Sequence, residues 1–211
     1  MKEYSVLMSI VDFIPVIFFA VSSVILMRDL YNKMSKGAFA IFSAGCIDIV
    51  FAGFLKALYK LLFACQICDF EPLNEMFFPV QSIGFLLAGL GVLAMISHRQ
   101  TKSTAMLAAA PPVFKGTFVF VSFMVVGLGM LCASLSVMAA KLKKKPVIVL
   151  FILSFVCSLC MGYLSSRDFA EASMNWIAEG VNILGQGAFL LGVMILHKNG
   201  MQKLKLHEVE R

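Results

Sequence analysis

Thr101-Lys-Ser-Thr-Ala-Met-Leu-Ala-Ala-Ala-Pro-Pro-Val-Phe114 is the stretch on which the fold turns. It is apolar and carries two adjacent prolines, Pro111 and Pro112. As a helix its length rises only about 21 Å, against roughly 30 Å of hydrocarbon in a bilayer. If it crosses, the chain is a bundle of seven transmembrane helices. If it is an amphipathic or re-entrant stretch, the bundle has six.

Longer apolar stretches lie on both sides of it, at Met8–Met27, Ala38–Leu62, Met76–Ser97, Thr117–Ala140, Val147–Leu164 and Ala170–Leu196. Each is long enough to span as a helix. The connections at 28–37, 98–102 and 141–145 and the tail after 197 are basic, whereas those at 68–75 and 165–171 are acidic or mixed. Six crossings put 98–102 and 141–145 on opposite faces, and neither orientation then satisfies the positive-inside rule. A seventh crossing over 101–114, turning at Lys115-Gly116, repairs this. Arg28, Lys33, Lys36, Arg99, Lys102, Lys141, Lys143, Lys144, Lys145, Lys198, Lys203, Lys205 and Arg211 then share the inner face. Outside remain Lys2, Lys115 and Arg167, with Lys56 and Lys60 inside a helix. The sequence therefore predicts an all-α bundle of seven helices, N-terminus out and C-terminus cytoplasmic. The alanines and prolines of 101–114 suit a short helix shielded by its neighbours.

Composition agrees. The chain has 211 residues, 60% hydrophobic and 14% charged. A soluble domain would have about 45–50% and about 25%. No hydrophilic stretch is long enough for a separate domain, so 1–211 reads as one integral membrane domain, expected in the plasma (inner) membrane. The net charge of +6 belongs to short loops that meet anionic lipid, and is no nucleic-acid signal. Met1-Lys-Glu-Tyr-Ser5 runs into an apolar segment with no small-residue cleavage site, which reads as a retained first helix.

Seven helices imply a three-plus-one-plus-three plan, with repeats over 9–98 and 117–197 joined by a linker helix at 101–114. A gapless shift of 99 aligns Asp69-Phe70 with Asp168-Phe169, and Met95-Ile96-Ser-His98 with Met194-Ile195-Leu-His197. This layout resembles the sugar-transporter and PQ-loop type of architecture, which implies parallel repeats about a linker. The proline–glutamine motif is absent at the expected position, Pro79-Val-Gln81 not being that motif, and no family is assigned.

The chemistry concentrates in the last helix. Asp168, Asn175, Glu179, Asn182 and Gln186 recur at steps of seven, four, three and four, within a stripe roughly 60° wide at about 100° per residue. Polar groups in hydrocarbon are costly unless they face protein or water, so the stripe points to a site. By depth, Asp12 lies roughly 9 Å outward of its helix midpoint, Lys56 roughly 9 Å and Glu179 roughly 7 Å, with Gln81 nearby. Asp48 falls near the bilayer centre. Together they predict a polar chamber in the outer half of the bilayer, narrowing toward Asn182 and Gln186, in which Asp12 or Glu179 partners the buried Lys56. Competing structural readings are that Lys56 and Lys60 snorkel to the interface, and that the carboxamides only hold helices together.

Other chemistries leave less trace. Cys46, Cys65, Cys68, Cys132, Cys157 and Cys160 all lie in or at the ends of apolar segments, where cysteine packs as a small hydrophobe. Cys65-Gln-Ile-Cys68, beside Asp69, is the one pair placed to be a redox centre, with no basic neighbour to activate a thiol. His98, His197 and His207 sit at cytoplasmic helix ends or in the tail, there is no HExxH, and the last helix has no lysine before Lys198. Haem, metalloprotease and retinal readings therefore fail. Gly84-x-x-x-Ala88, Gly127-x-Gly129 and Gly185-x-Gly187 permit close helix contact.

The expectation is thus a non-enzymatic multi-pass transporter, or a solute-binding membrane subunit, for a small polar or cationic solute. It needs no metal and no cofactor; lipid and solute are its partners, and homo-oligomerisation is left open. Glu179, Asn182, Gln186 and Asn175 would line the path with Gln81 and Lys56. Asp48 and Asp12 would add negative potential or take up a coupling proton. The alternatives are a membrane-embedded redox protein using Cys65 and Cys68, and a non-catalytic sensor or scaffold.

Overall fold

In a computed structural model, which describes residues 5–97, 117–165 and 172–204, the apolar stretches fold as helices whose ends follow local chemistry. Ser5 caps α1 (Val6–Val11), accepting from Met8 N at 3.2 Å. The helix breaks at Asp12 and resumes as α2 (Phe13–Leu30). Pro15 explains the break, because it has no N–H for the Val11 carbonyl and its ring crowds that group. The same device recurs between α4 (Pro72–Glu75) and α5 (Phe77–Ser97), where Pro79 follows a break at Met76. Ser35 caps α3 (Lys36–Ala64) through Ala38 N. This helix ends at Gln66, in the left-handed region at φ 56°, with Ile67 N returning to Leu62 O. Lys143, φ 58°, ends α6 (Thr117–Lys141) in the same way and turns the chain into α7 (Lys145–Ser165). Such a left-handed residue lets the last carbonyls of a helix find partners. The last long helix, α8 (Ala172–Lys198), stops at Gly200, φ 85°.

The described residues are all-helical, without a strand. Five spans are long and apolar enough to cross a membrane: Val6–Leu30, Lys36–Ala64, Pro72–Ser97, Val119–Lys141 and Met174–Lys198. The apolar part of α7, Lys145–Met161, is shorter. The linker helix expected over 101–114 lies outside the described residues. The outer surface is lined by apolar stripes at helical spacing, such as Ile10, Ile14, Ile17, Val21 and Val24, and Val149, Ile152, Val156 and Leu159, all exposed. Water would oppose such stripes; a bilayer accommodates them.

The long helices close a ring in which α2 meets α3, α3 meets α5, α5 meets α6, α6 meets α7, α7 meets α8, and α8 returns to α2. Glycines fix the tightest seams. A Cβ on Gly45 would fall 2.5 Å from Ala88 N and Gly84 O, and one on Gly91 2.6 Å from Phe42 Cβ. These contacts make α3 and α5 antiparallel. A Cβ on Gly127 would collide with the backbone of Phe85 and Leu86, and one on Gly89 with that of Gly127. Gly185 and Gly192 of α8 meet Cys157 and Phe151 of α7, also antiparallel. Gly129 and Gly187, by contrast, meet only phenylalanine rings at ordinary distance.

Directions follow from these contacts. Phe18 meets Gly187 and Asp29 meets His197, so α2 and α8 run in parallel. Through α7, joined to α6 by a tight turn, α6 shares that direction; through α3, so does α5. Ser97, closing α5, and Thr117, opening α6, therefore lie at opposite ends of the bundle. Those ends are named here by Asp12 and Asp29.

The interior differs between the two ends. Toward Asp29 it is close-packed: Leu26, Leu30, Phe42, Val92, Leu131, Leu135, Met138, Val193, Leu196 and Met201 are each 1% exposed or less. At mid-height Phe19 contacts Phe85 edge-on and stacks on Phe189, both at 5.8 Å, and Phe151 meets Phe189 edge-on. Toward Asp12 the helices leave a cavity.

Candidate functional site

That cavity has a volume of about 730 Å³ and extends from Asn74 and the exposed Glu75 at the Asp12 end to Phe19 and Phe85 at mid-height. Helical periodicity aims its polar lining. In α3, Gly53, Lys56 and Lys60 recur at steps of three and four and share a face. In α8, Asn175, Glu179, Asn182 and Gln186 do the same, and Gln81 comes from α5. Asp12, at the break before α2, falls opposite the lipid-facing stripe, on the inward face it shares with the buried Met8, Pro15 and Phe19 at steps of four, three and four. Of the residues singled out from sequence, the fold thus brings Asp12, Lys56, Gln81, Asn175, Glu179, Asn182 and Gln186 to one cavity. Asp48 is not on its wall. It lies eight residues before Lys56, about 80° round the helix, against α5, where a Cβ on Gly84 would come 3.1 Å from Asp48 Cβ. Asp168 lies outside the described residues.

The charged groups face one another across the chamber. Lys60 Nζ makes an ion pair with Asp12 Oδ2 at 2.5 Å, the side chains being 13% and 6% exposed. The Glu179 and Asp12 carboxyls are near neighbours that act on each other, and the Lys56 and Lys60 ammonium groups act on both acids. Lys56 Nζ also sits 3.9 Å over the Phe77 ring, a favourable place for a desolvated cation. Glu179 Oε1 and Asp12 Oδ1 are buried and accept no hydrogen bond from the described residues. On sequence alone Lys60 reads only as a snorkelling lysine. Its place one turn beyond Lys56 on the same face was the signal available. Ser158 of α7 adds a further polar group to the wall.

Sequence reading missed a second polar centre, at the opposite end. Asp29, its side chain wholly buried, faces His197 Nδ1 at 2.7 Å and accepts from Gln202 Nε2 at 2.5 Å. An Arg28 guanidinium nitrogen lies 2.8 Å from His197 Nε2. These contacts assign the imidazole tautomer with Nδ1–H donating to Asp29 and Nε2 accepting from Arg28. Lys33 Nζ donates to the Leu204 carbonyl. Burial holds the Lys33 ammonium below the ordinary lysine range, with Asp29 acting the other way. Together these contacts fasten the segment after α8 to the end of α2.

The six cysteines are free thiols; Cys65 and Cys68 are exposed and lie off the cavity wall. Among the described residues no group of three or more His, Cys, Asp or Glu is placed to hold a metal ion. Compared with known proteins, the chain matches no family model, no curated protein and no solved structure.

Proposed function

We propose that this chain is a small multi-pass membrane transporter, or a solute-binding membrane subunit, for a small polar or cationic solute. One observation carries the reading: a cavity of about 730 Å³ gathers carboxylates, ammonium groups and carboxamides in one half of an apolar bundle whose other half is close-packed. Polar groups held at this cost in a membrane-spanning bundle have a use when water or solute reaches them. The aromatic cluster of Phe19, Phe85 and Phe189 forms the floor, and the Asp29–His197–Gln202 contacts hold the far end shut. A chamber open to one face and sealed from the other is one of the states that alternating access requires.

Orientation follows from charge. Arg28, Lys33, Lys36, Lys141, Lys143, Lys144, Lys145, Lys198 and Lys203 all belong to the Asp29 end, which makes that end cytoplasmic by the positive-inside rule. The chamber then faces outward. The parallel course of α5 and α6 favours a returning crossing between Ser97 and Thr117. Seven helices in two parallel three-helix repeats is the topology we propose.

The test is solvent access. In a background with the native cysteines replaced, Asn182→Cys should react with a membrane-impermeant thiol reagent added outside intact cells, and a polar solute that fills the chamber should slow the reaction. An unreactive Cys at 182 in a folded protein would mean a dry, paired stripe, and the scaffold reading would replace this one.

A further inference from the structure

Two groups in the chamber keep unused bonding capacity, of opposite sign, on the walls either side of α2. On α3, the Lys56 ammonium lies over the Phe77 ring, and no acceptor among the described residues takes its protons. On α8, Glu179, 6% exposed, has Oε1 without a donor. The charges count out in the same way. Asp12 and Glu179 form a neighbouring acidic pair, and Lys60 is in contact with one of the two. Lys56 and Glu179 thus face the same space without a direct ion pair between them, each within the field of the other.

Resting on the solute-binding reading above, we propose that the chamber takes a zwitterion, its anionic group against Lys56 and its ammonium against the Glu179–Asp12 pair. Gln81 of α5 and Asn182 of α8, lining the same chamber, supply neutral donors and acceptors. The physical reason is charge matching in a medium of low dielectric. A lone cation gives Lys56 no new partner and brings a net charge into the bundle. A lone anion leaves the carboxyl pair unanswered. A zwitterion satisfies both and brings no net charge into the bundle.

The test uses the purified full chain in detergent, with thermal unfolding as the readout. The probes are ω-amino acids from glycine to 6-aminohexanoate, the alkylamine and the carboxylate of each length, and glucose as a neutral polar solute. One length of amino acid should raise the unfolding midpoint in a saturable way, and its single-charge analogues should bind about tenfold more weakly or worse. Lys56→Gln should remove the advantage over the amine, and Glu179→Gln the advantage over the carboxylate. Should either variant fail to fold, the wild-type series still decides. An amine, a carboxylate or glucose binding as tightly as the amino acid overturns the charge matching and leaves a chamber that binds solute. If no probe binds, the zwitterion is overturned, and access at position 182 then decides separately whether the chamber reading stands.

Discussion

Lys60 Nζ lies 2.5 Å from Asp12 Oδ2 and so ties the last turn of α3 to the break between α1 and α2. The two residues are 48 positions apart (60 − 12) and come from helices running in opposite directions. Lys60→Met alone should strand Asp12 beside Glu179 and cost on the order of 3 kcal/mol, as when one partner of a buried pair is removed. Lys60→Met combined with Asp12→Leu should recover most of that. A double-mutant cycle on unfolding midpoints checks it; additive losses would show that the pair is not coupled.

Glu179→Gln keeps the shape and removes the charge. Folding should survive, while solute binding falls. Glu179→Leu should also lower stability by about 1–3 kcal/mol, because it replaces a polar partner of Asp12 and the lysines with hydrocarbon. Unfolding midpoints of the two variants, with and without a bound solute, separate these effects. Equal midpoints for Gln and Leu would remove the stability half of the argument.

Asp29→Ala should release the segment after α8. It removes the acceptor of Gln202 and the partner of His197, at a cost of about 1–3 kcal/mol. Limited proteolysis should then cut near Leu204 markedly faster than in the parent protein, while the chamber end is unchanged. Equal cutting rates would mean that Lys33 and the packing of Met201 hold the segment by themselves.

Cysteine labelling at positions 100, 115 and 143 tests the topology. Positions 100 and 143 should react only from the cytoplasmic side and 115 only from outside. Labelling of 100 and 143 from opposite faces would leave six crossings.

Replacing Cys65 and Cys68 together by serine should leave solute binding intact, since both thiols lie off the cavity wall. Loss of binding at normal membrane levels would move the redox reading to the front.

The helices were legible because length and hydropathy determine them. The expected Ala38–Leu62 is α3 at Lys36–Ala64, and Thr117–Ala140 is α6 at Thr117–Lys141. A larger difference came at the proline break at Met76, where the span begins four residues before its apolar core, at Pro72. The α8 face was legible because polar residues at a period of 3.6 stand out against hydrocarbon. Asp48 was grouped with the others by depth alone, and depth carries no angle round the helix. Asp29 gave no signal at all: its partner His197 is 168 residues away, and only the folded ring brings them together.

The glycine seams have a mechanical consequence. Between the two halves, residues 6–97 and 117–198, one contact is backbone on backbone, where Gly89 and Gly127 let α5 and α6 touch. The other, between α2 and α8, is made by side chains, among them Asp12 with Glu179, Phe19 with Phe189, and Asp29 and Arg28 with His197. Side chains can swing by changing rotamer, whereas touching backbones cannot separate without opening a void. Relative rotation of the halves is therefore least costly about the α5–α6 line. The bundle is built like a book, with two glycines as its spine and side-chain contacts along the opening edge.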